Sequence, residues 1–591
     1  MAADTIVSRL FRNAEETPTT AAYREKVGGE YAATSWGEYA DQVRRAGLAL
    51  ISLGVQPGDV VTILGFNRPE WVVMHLAAMA VGGAPAGIYT TSSPDEVHYV
   101  TNHSASPVIL VENEVQLAKV LSRRSDLPHL RWIVTMRGAP AHDDEAILTW
   151  DEFLARSIER DDAEFFARID ALEPDGLAVL IYTSGTTGPP KGVMLTHHNL
   201  TWTSDGASGI FDIRADDRLI SYLPLSHIAE QIFTIHGAMT YRYCVSFAES
   251  IEALPEDIKE VQPTLFFGVP RVWEKFRAGV ASKLAEASGL KGRIAGWAMA
   301  VGREAVALQN AGREPSGLLA AKYRLADRLL YRKVKAALGL DACRVAVSGA
   351  APIDPSVLEF FAGLDLPIYE VYGQSEGTGP TTFNGPGRAR FGAAGPPFPG
   401  TEVRIADDGE ILLRGGNVFA GYFRNPEATA ETLVDGWLHS GDLGRMEDDG
   451  MLTITGRKKD IIITAGGKNI APRNFEGALK QNPLVTEAVV IGDRRKYLTA
   501  LVTLDQVAAA AFLAERGESG PAQESPAVLA EVAATVDEIN ARFARVEQIK
   551  KFRILPREFS IEEGEVTGTL KVKRDVVADH FSAEIEAMYV E

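Results

Sequence analysis

The amino-acid sequence predicts an α/β protein. It should have a large N-terminal domain of doubly wound, mostly parallel sheets with a β-rich layer, and a small α+β C-terminal domain. Three observations lead to this fold class. Short apolar runs alternate with amphipathic segments across residues 59–348, a pattern typical of parallel sheets joined by helices. Short β segments separated by turn residues follow from about residue 400. The chain of 591 residues is also too long for a single core.

Helix-start signals mark the first part of this alternation. Ser35 and Glu38 have the spacing of a capping box, and the apolar residues that follow recur on one helical face. A second box, at Ser93 and Glu96, has Pro94 at the first helical position. A further helix is predicted at 69–81, and strands at 59–66, 86–89, 107–111, 131–136 and 176–182.

The same alternation continues beyond residue 200 and ends in two different patterns. Strands are predicted at 218–223, 245–248, 264–269 and 344–348, with a long, charge-rich helical insertion at about 274–338. The β-rich layer has strands at 403–405 and 410–414 around an Asp-Asp-Gly turn, and a strand at 452–455 closes the large domain. A charged joint at 456–460 then separates a domain of residues 1–455 from one of residues 456–591. In the second domain we expect a hairpin at 461–470, a helix at 474–480 and strands at 488–492 and 498–504.

A loop rich in glycine and hydroxyl side chains directly follows the strand at 176–182. It contains Thr183, Ser184, Gly185, Thr186, Thr187 and Gly188, and Lys191 comes after two prolines. Glycines lack the Cβ that blocks close approach, so such a loop can turn its N–H groups and hydroxyls toward a polyanion. Pro190 stands where a Walker A loop needs glycine before its lysine. The sequence favours a phosphate-binding loop over the alternative, a polar surface turn.

Composition narrows the class of protein. A net charge of −19 argues against a nucleic-acid binder. The two cysteines, Cys244 and Cys343, provide no disulfide framework and fit a reducing compartment. No signal-peptide core and no apolar run of membrane-spanning length is present, which predicts a cytoplasmic protein and leaves peripheral membrane contact open.

The stretch from Leu180 to Leu200 resembles the phosphate loop of the adenylate-forming superfamily of acyl-CoA synthetases, luciferases and peptide-synthetase adenylation domains. Four further stretches are similar to motifs of that superfamily and occur in the same order. They are Ser348-Gly-Ala-Ala-Pro352, Tyr369-Glu-Val-Tyr-Gly-Gln-Ser-Glu-Gly377, Gly436-Trp-Leu-His-Ser-Gly-Asp442 and Thr567-Gly-Thr-Leu-Lys571.

This resemblance implies a binding site for ATP. Tyr372 would stack on adenine, and Ser375 would reach the α-phosphate. Asp442 and Arg457 would bind the ribose. Glu376 would hold Mg²⁺, with Thr183 as a second ligand. The backbone of Gly349, Ala350, Ala351, Gly373 and Gln374 would border the nucleotide.

The resemblance also implies a two-step reaction. Lys571 would supply the positive charge that adenylation needs. Lys573 and Arg574 are close in sequence, so the assignment could shift to one of them. His227 would orient the acyl carboxylate, unless it is only a helix cap or a core residue. In the family the small domain is mobile: it would turn about Lys459, so that Gly466, Gly467 and Lys468 face coenzyme A.

The long insertion and the stretches 269–275 and 465–472 resemble the long-chain fatty-acid group of this superfamily. They imply ligation of a long-chain fatty acid to coenzyme A, with ATP, Mg²⁺, fatty acid and CoA as the small molecules used. Three alternatives stay open: an acyl-AMP ligase serving a carrier protein, a ligase for another hydrophobic acid, and a silent scaffold. The oligomeric state, monomer or homodimer, also stays open.

Overall fold

A computed structural model describes residues 3–183, 189–465, 468–560, 563–567 and 572–590. Two eight-stranded sheets form the large N-terminal part. In the first sheet, the five strands from Ala84–Ile88 to Ile147–Thr149 run parallel, and the strand that leads into the phosphate loop joins their edge. Its strands, in spatial order, are Gly421–Tyr422, Lys191–Thr196, Leu177–Thr183, Ala84–Ile88, Val60–Leu64, Val108–Val111, Trp132–Thr135 and Ile147–Thr149.

The second sheet has a parallel centre and antiparallel edges. Its strands, in spatial order, are Gly379–Phe383, Ile368–Gln374, Val345–Ser348, Leu265–Gly268, Arg218–Ser221, Cys244–Phe247, Ala21–Val27 and Glu30–Ser35. Sequence reasoning missed the N-terminal hairpin formed by the last two strands. Glu30–Ser35 is largely solvent-facing, so it lacks the apolar alternation by which a half-buried strand is recognised.

Helices cover both sheets, and those with clear start signals begin where the sequence predicts. The capping boxes at Ser35 and Ser93 are both formed. The helices of this part are Ile6–Glu16, Trp36–Ser52, Pro69–Ala80, Pro94–His103, Glu114–Leu121, Trp150–Ala155, Asp162–Asp170, His197–Gly206, Ile228–Gln231, Ala238–Tyr241, Leu254–Val261, Pro270–Ala285, Leu290–Asn310, Gly317–Ala326, Arg332–Leu338, Pro355–Ala362 and Pro426–Thr432. Two π-helical segments, Ile232–Gly237 and Asp327–Tyr331, connect the short helices on either side of them. No described helix is long and apolar enough to cross a membrane.

The predicted β-rich layer is a five-stranded sheet. It contains Glu402–Ile405, Glu410–Arg414, Trp437–Met446, Leu433–Val434 and Leu452–Arg457. The last strand ends at Arg457 and not at residue 455, because Asp442 and Arg457 are paired across the two strands. The strand therefore runs into the charged joint.

The C-terminal part has a two-stranded sheet, a three-stranded sheet and its own core. Its strands are Ile462–Ile463, Asn469–Ile470, Val485–Ile491, Leu498–Leu504 and Ile549–Ile554, and its helices are Arg473–Leu479, Gln506–Ala514, Pro526–Asn540, Arg574–His580 and Ser582–Tyr589. Phe475, Leu479, Val502 and Val532 are almost fully buried in a cluster whose described members all lie between residues 462 and 554. The α+β composition expected of this part is confirmed.

Candidate active site

The strand Ile368–Gln374 ends beside the long strand Trp437–Met446. Tyr372 Oη donates a hydrogen bond to Asp442 Oδ2 at 2.8 Å, and Arg457 Nε donates to Asp442 Oδ1 at 2.9 Å. Asp442 is only 4% exposed. Its carboxylate is therefore nearly shielded from solvent, and the two donors hold it in place. Burial, reinforced by the charge of Asp442, raises the pKa of Tyr372 well above its usual value and keeps this hydroxyl protonated. The structure thus brings together three residues that the sequence placed around the adenosine.

Arg473, which sequence reasoning missed, lies in the C-terminal part and within range of the charge of Asp442. Burial lowers the pKa of Arg473, while the charges of Asp442 and Asp460 act in the opposite direction. The only sequence signal was its position directly after the stretch 465–472. A second guanidinium, from an element beyond the charged joint, therefore adds positive charge to the surroundings of Asp442.

A second group of residues lies at the exit of the phosphate loop. Thr183 and Lys191 pair across the two strands that flank the loop. The ammonium of Lys191 lies 4.8 Å from the ring centre of Tyr422, and Tyr422 Oη donates to Glu376 Oε1 at 2.8 Å. Tyr422 was also missed, since a tyrosine in a two-residue strand carries no signal of its own. It connects the predicted phosphate lysine to the predicted Mg²⁺ ligand.

Two glycines permit a close approach of backbone at this site. A Cβ on Gly373 would lie 1.6 Å from the carbonyl oxygen of Gly379, and one on Gly349 would lie 2.5 Å from Val371 Cγ1. Neither position accommodates a side chain. Ala350, with φ of 67°, takes the left-handed conformation, and Ala351 follows it in the turn before Pro355–Ala362. Gln374 ends its strand, and Ser375 begins a short 3-10 turn with its side chain buried.

An apolar cavity adjoins these residues. It contains about 1020 Å³ of space not filled by protein, part of it open to solvent, and Ala350, Gly373 and Gln374 are among the residues that line it. The described lining includes no Asp, Glu, Lys or Arg. Its other members are Thr203, Ser204, Ala207, Phe211, Ile213, His227, Ile228, Ala229, Ile232, Phe233, Gly237, Tyr241, Tyr243, Leu265, Phe266, Phe267, Val345, Val347, Val371, Gly379, Pro380, Phe383 and Phe398.

His227 lies both on this cavity and at the start of a helix. Its Nδ1 accepts the N–H of Ala229 at 3.1 Å, so it caps Ile228–Gln231. The capping interpretation is therefore correct, and the same residue also lines the cavity.

The residues predicted to hold Mg²⁺ fit a site shared with the substrate. Among the described residues, no group of three or more His, Cys, Asp or Glu side chains could enclose a metal ion. Mg²⁺ is commonly held by one or two carboxylates together with substrate phosphates, and it keeps several waters. A single carboxylate, Glu376, close to the end of the phosphate loop matches that pattern.

Several predicted residues lie outside the described part of the chain. These are Ser184, Gly185, Thr186, Thr187, Gly188, Gly466, Gly467 and Lys571. Lys459 is exposed in the short 3-10 turn Lys458–Asp460, and Lys468 Nζ lies 3.2 Å from Glu547 Oε1.

Comparison with known families agrees with this arrangement. Residues 10–423 match the family described as AMP-binding enzyme, and residues 459–591 match the AMP-binding enzyme C-terminal domain. The chain belongs to the AMP-binding enzyme family. The resemblance to adenylate-forming enzymes is thereby confirmed. The first match ends at residue 423, and the second begins at residue 459.

Curated relatives within this family align along almost the whole chain. The long-chain-fatty-acid–CoA ligase FadD15 of Mycobacterium tuberculosis is 39% identical, over 99% of this chain and 97% of its own length. The human long-chain-fatty-acid–CoA ligase ACSBG1 is 37% identical, over 94% of this chain and 81% of its own length.

Solved structures share the fold at lower identity. The adenylation domain of a carboxylate reductase from Mycobacterium chelonae has a TM-score of 0.78 at 20% identity, covering 100% of this chain and 92% of its own. The anthranilate CoA ligase AuaEII bound to anthranoyl-AMP has a TM-score of 0.70 at 20% identity, covering 98% of each chain. The predicted α/β fold class is confirmed.

A buried glutamate behind the cavity gives this AMP-binding enzyme a testable pH dependence. Glu230 is 3% exposed, and its Oε1 accepts hydrogen bonds from Ser221 Oγ at 2.7 Å and Thr234 Oγ1 at 2.8 Å. Burial raises the pKa of Glu230 from the usual 4.5 to about 7. Between pH 4.5 and pH 7 the native state binds more protons than the unfolded state, so the contribution of Glu230 to the free energy of unfolding falls as pH rises. Above pH 7 this contribution no longer changes.

Because of Glu230, the free energy of unfolding of the wild type should fall by up to about 3 kcal/mol between pH 4.5 and pH 7. We expect this fall to be absent in Glu230→Gln. Denaturant unfolding of both proteins across this range measures the difference. Glu531→Gln, an exposed glutamate in Pro526–Asn540, is the matched control and should follow the wild type. Parallel curves for wild type and Glu230→Gln would show that Glu230 does not titrate in this range.

Proposed function

We propose that the protein ligates a long-chain fatty acid to coenzyme A, through an acyl-adenylate, with release of AMP and pyrophosphate. The observation that carries this proposal is the juxtaposition of the apolar cavity with the adenylate motif. Ala350, Gly373 and Gln374 belong to that motif or to the loop beside it and also line the cavity. An acid lying in the cavity would thus present its carboxylate to the nucleotide. The names of the two curated relatives agree with this acid and this acceptor.

In the first step, the chain positions ATP and the acid. Asp442, held by Tyr372 and Arg457, would accept the ribose hydroxyls, and the ring of Tyr372 would stack on adenine. Lys191 and the loop before it would hold the phosphates, and Ser375 would reach the α-phosphate.

Mg²⁺ bound by Glu376 and Thr183 together with ATP would neutralise phosphate charge. Lys571 would stabilise the charge that develops between carboxylate and α-phosphate. The carboxylate is already ionised at neutral pH and needs no base, so His227 would only orient it.

In the second step, the thiol of coenzyme A attacks the acyl carbonyl, and AMP leaves. Lys571 must then leave the space that the thiol enters. We propose that the C-terminal domain turns about residues 456–460, with Lys459 as the hinge, and that Gly466, Gly467 and Lys468 then face coenzyme A. Two features support a movable unit. The C-terminal core is separate among the described residues, and the joint is short and charged, with Lys458 and Lys459 exposed.

Cavity shape should set the acyl chain length. Ala207 lines the cavity at the end of the helix His197–Gly206, and the adjacent Ser208 is exposed. We expect Ala207→Phe to fill part of the cavity and to raise KM for long-chain acids by roughly tenfold or more, with little effect on short ones. Steady-state kinetics over an acid series measures this, with Ser208→Phe as the adjacent control. A uniform loss for all acids would mean that position 207 does not limit chain length.

A panel of acids from short to long chain, assayed with ATP and coenzyme A, tests the function itself. We expect AMP release to match the loss of free thiol and to be greatest with long chains. Pyrophosphate release with accumulation of acyl-AMP, and without release of AMP or loss of thiol, would instead identify an acyl-AMP ligase that serves a carrier protein. Both cysteines are free, which supports our placing the enzyme in the reducing cytoplasm.

A further inference from the structure

The helical insertion differs in charge from the rest of the protein. Residues 270–338 contain 14 Lys and Arg against five Asp and Glu, a net charge of +9 in a chain whose total is −19. The remaining residues therefore carry −28. Within this segment, all of which the structure describes, only Arg332 and Lys335 take part in ion pairs. Of the other 12 basic side chains, Arg277 donates to Ser356 Oγ at 2.8 Å, and the remaining 11 are exposed and available to an external anionic partner.

Three leucines are exposed on one face of this insertion. Leu318, Leu325 and Leu329 are 71%, 51% and 39% exposed. Their spacing of seven and four residues places them on one side of the helical run that starts at Gly317. Arg324 and Arg328, both exposed, directly precede two of them. The result is an apolar stripe with cationic flanks, the pattern of helices that lie in a membrane interface.

The opposite side of the same run is firmly packed. Ala326 and Tyr331 are completely buried against the helix Leu290–Asn310, and Tyr331 Oη donates to the carbonyl oxygen of Ala298 at 2.6 Å. The exposed leucines are therefore not waiting to complete the core. The packing of Ala326 and Tyr331 keeps the leucine side of the helical run facing solvent.

The insertion is also joined to the apolar cavity. Its first helix, Pro270–Ala285, follows the strand Leu265–Gly268 directly. Trp273 on that helix packs edge to face on Phe266, a cavity-lining residue, at 5.3 Å, and its Nε1 donates to the carbonyl oxygen of Gly268 at 3.0 Å. The basic face and the cavity wall thus belong to one packed unit.

We propose that the leucine-and-arginine face of residues 317–333 docks the enzyme on the surface of an anionic phospholipid bilayer. Phosphate headgroups would meet the basic side chains while the three leucines enter the boundary with the acyl chains. Basic side chains suit this position because their apolar stems can extend along the interface while their charged ends reach the phosphates. The choice of a bilayer over an acidic protein rests on the proposed function, because a long-chain acid resides in bilayers.

Vesicle flotation of the full-length protein tests this surface without requiring ligase activity. We expect binding to phosphatidylcholine vesicles that contain phosphatidylglycerol, little binding to phosphatidylcholine alone, and weakening as salt is raised. One variant removes the apolar stripe: Leu318→Ser, Leu325→Ser and Leu329→Ser. A second reverses the flanking charge: Lys322→Glu, Arg324→Glu and Arg328→Glu. Each of these two variants should lower the vesicle partition coefficient at least tenfold. For the charge variant this follows because each basic residue near an anionic surface contributes about fivefold to that coefficient.

Matched controls change exposed residues elsewhere. Val115→Ser, Ile158→Ser and Val507→Ser replace side chains that are 67%, 81% and 81% exposed, and this protein should bind like the wild type. Arg494→Glu, Lys496→Glu and Lys550→Glu, all exposed in the C-terminal part, control for total charge. ATP–pyrophosphate exchange with a short, soluble acid should be unchanged in all four variants. If the leucine variant fails to fold, the charge variant and the salt dependence decide the outcome.

Three results would overturn the proposal. The first is wild-type protein that does not float with anionic vesicles. The second is equal binding by the two surface variants and their controls. The third is a dimer, seen without vesicles, that the surface variants disrupt while vesicle binding persists, which would assign this face to a second copy of the chain. Loss of ligase activity with intact vesicle binding would count against the proposed function alone.

Discussion

Lys571→Ala is expected to reduce acyl-adenylate formation by about 100- to 1000-fold, the loss typical when one preorganised charge or donor at a reacting centre is removed. The ammonium is required only while charge grows between the carboxylate and the α-phosphate. In the thioester step the thiol attacks an adenylate that already exists. CoA transfer from synthetic acyl-AMP should therefore change little. The measurement is a pair of half-reactions: acid with ATP, followed by pyrophosphate release, and acyl-AMP with CoA, followed by thioester formation.

Lys573→Ala is the matched control for this experiment. Lys573 is two residues away, and its Nζ lies 4.0 Å from Glu96 Oε1, in the N-terminal part. An ion pair at that distance on the surface contributes little, so its loss should leave both half-reactions near wild type. If Lys573→Ala is instead the inactive variant, the assignment of the adenylation lysine moves by two positions. If Lys571→Ala loses both half-reactions equally, Lys571 is a structural cation and the two-step account of the C-terminal domain is wrong.

Asp442→Ala is expected to weaken ATP binding by about 100-fold or more. A hydrogen bond to a charged group contributes about 1.5–3 kcal/mol, and this carboxylate would accept from the ribose hydroxyls. The substitution also leaves the Arg457 guanidinium without the carboxylate to which it donates. Calorimetry with a nonhydrolysable ATP analogue measures the affinity directly.

Two other substitutions separate the possible causes of that loss. Tyr372→Phe keeps the ring and removes the hydroxyl that donates to Asp442, so it should cost only about 0.5–1.5 kcal/mol. Asp408→Ala removes an exposed carboxylate that pairs with Lys458 at 2.6 Å, at a turn of the same sheet, and should not affect ATP binding. Unchanged affinity in Asp442→Ala would place the ribose elsewhere.

Membrane docking and catalysis would act together in this enzyme. A rigid face that binds anionic lipid is connected through Trp273 to the wall of the cavity that receives the acid. An insoluble substrate would then be taken up close to where it is concentrated. The excess negative charge of the other residues would oppose adsorption through any other side and so orient the molecule.

The sequence determined the parts of this protein that depend on neighbouring residues. Capping boxes at Ser35 and Ser93 fixed two helix starts, and apolar runs predicted nine strands of the two large sheets to within a few residues. The motifs around Thr183, Tyr372 and Asp442 were recognisable for the same reason. Each motif is a contiguous stretch, so the spacing of its residues can be read directly from the sequence.

Only the tertiary structure decided which of these stretches meet, and how. The bond from Tyr372 to Asp442 joins residues 70 positions apart, and Tyr422 stands between Lys191 and Glu376 because a two-residue strand pairs with Lys191–Thr196. No local pattern specifies such contacts, since sheet order and packing determine them. The outward leucines of the insertion follow the same rule: their helical spacing resembles that of a core face, and only the buried Tyr331 on the opposite side shows which face is left to solvent.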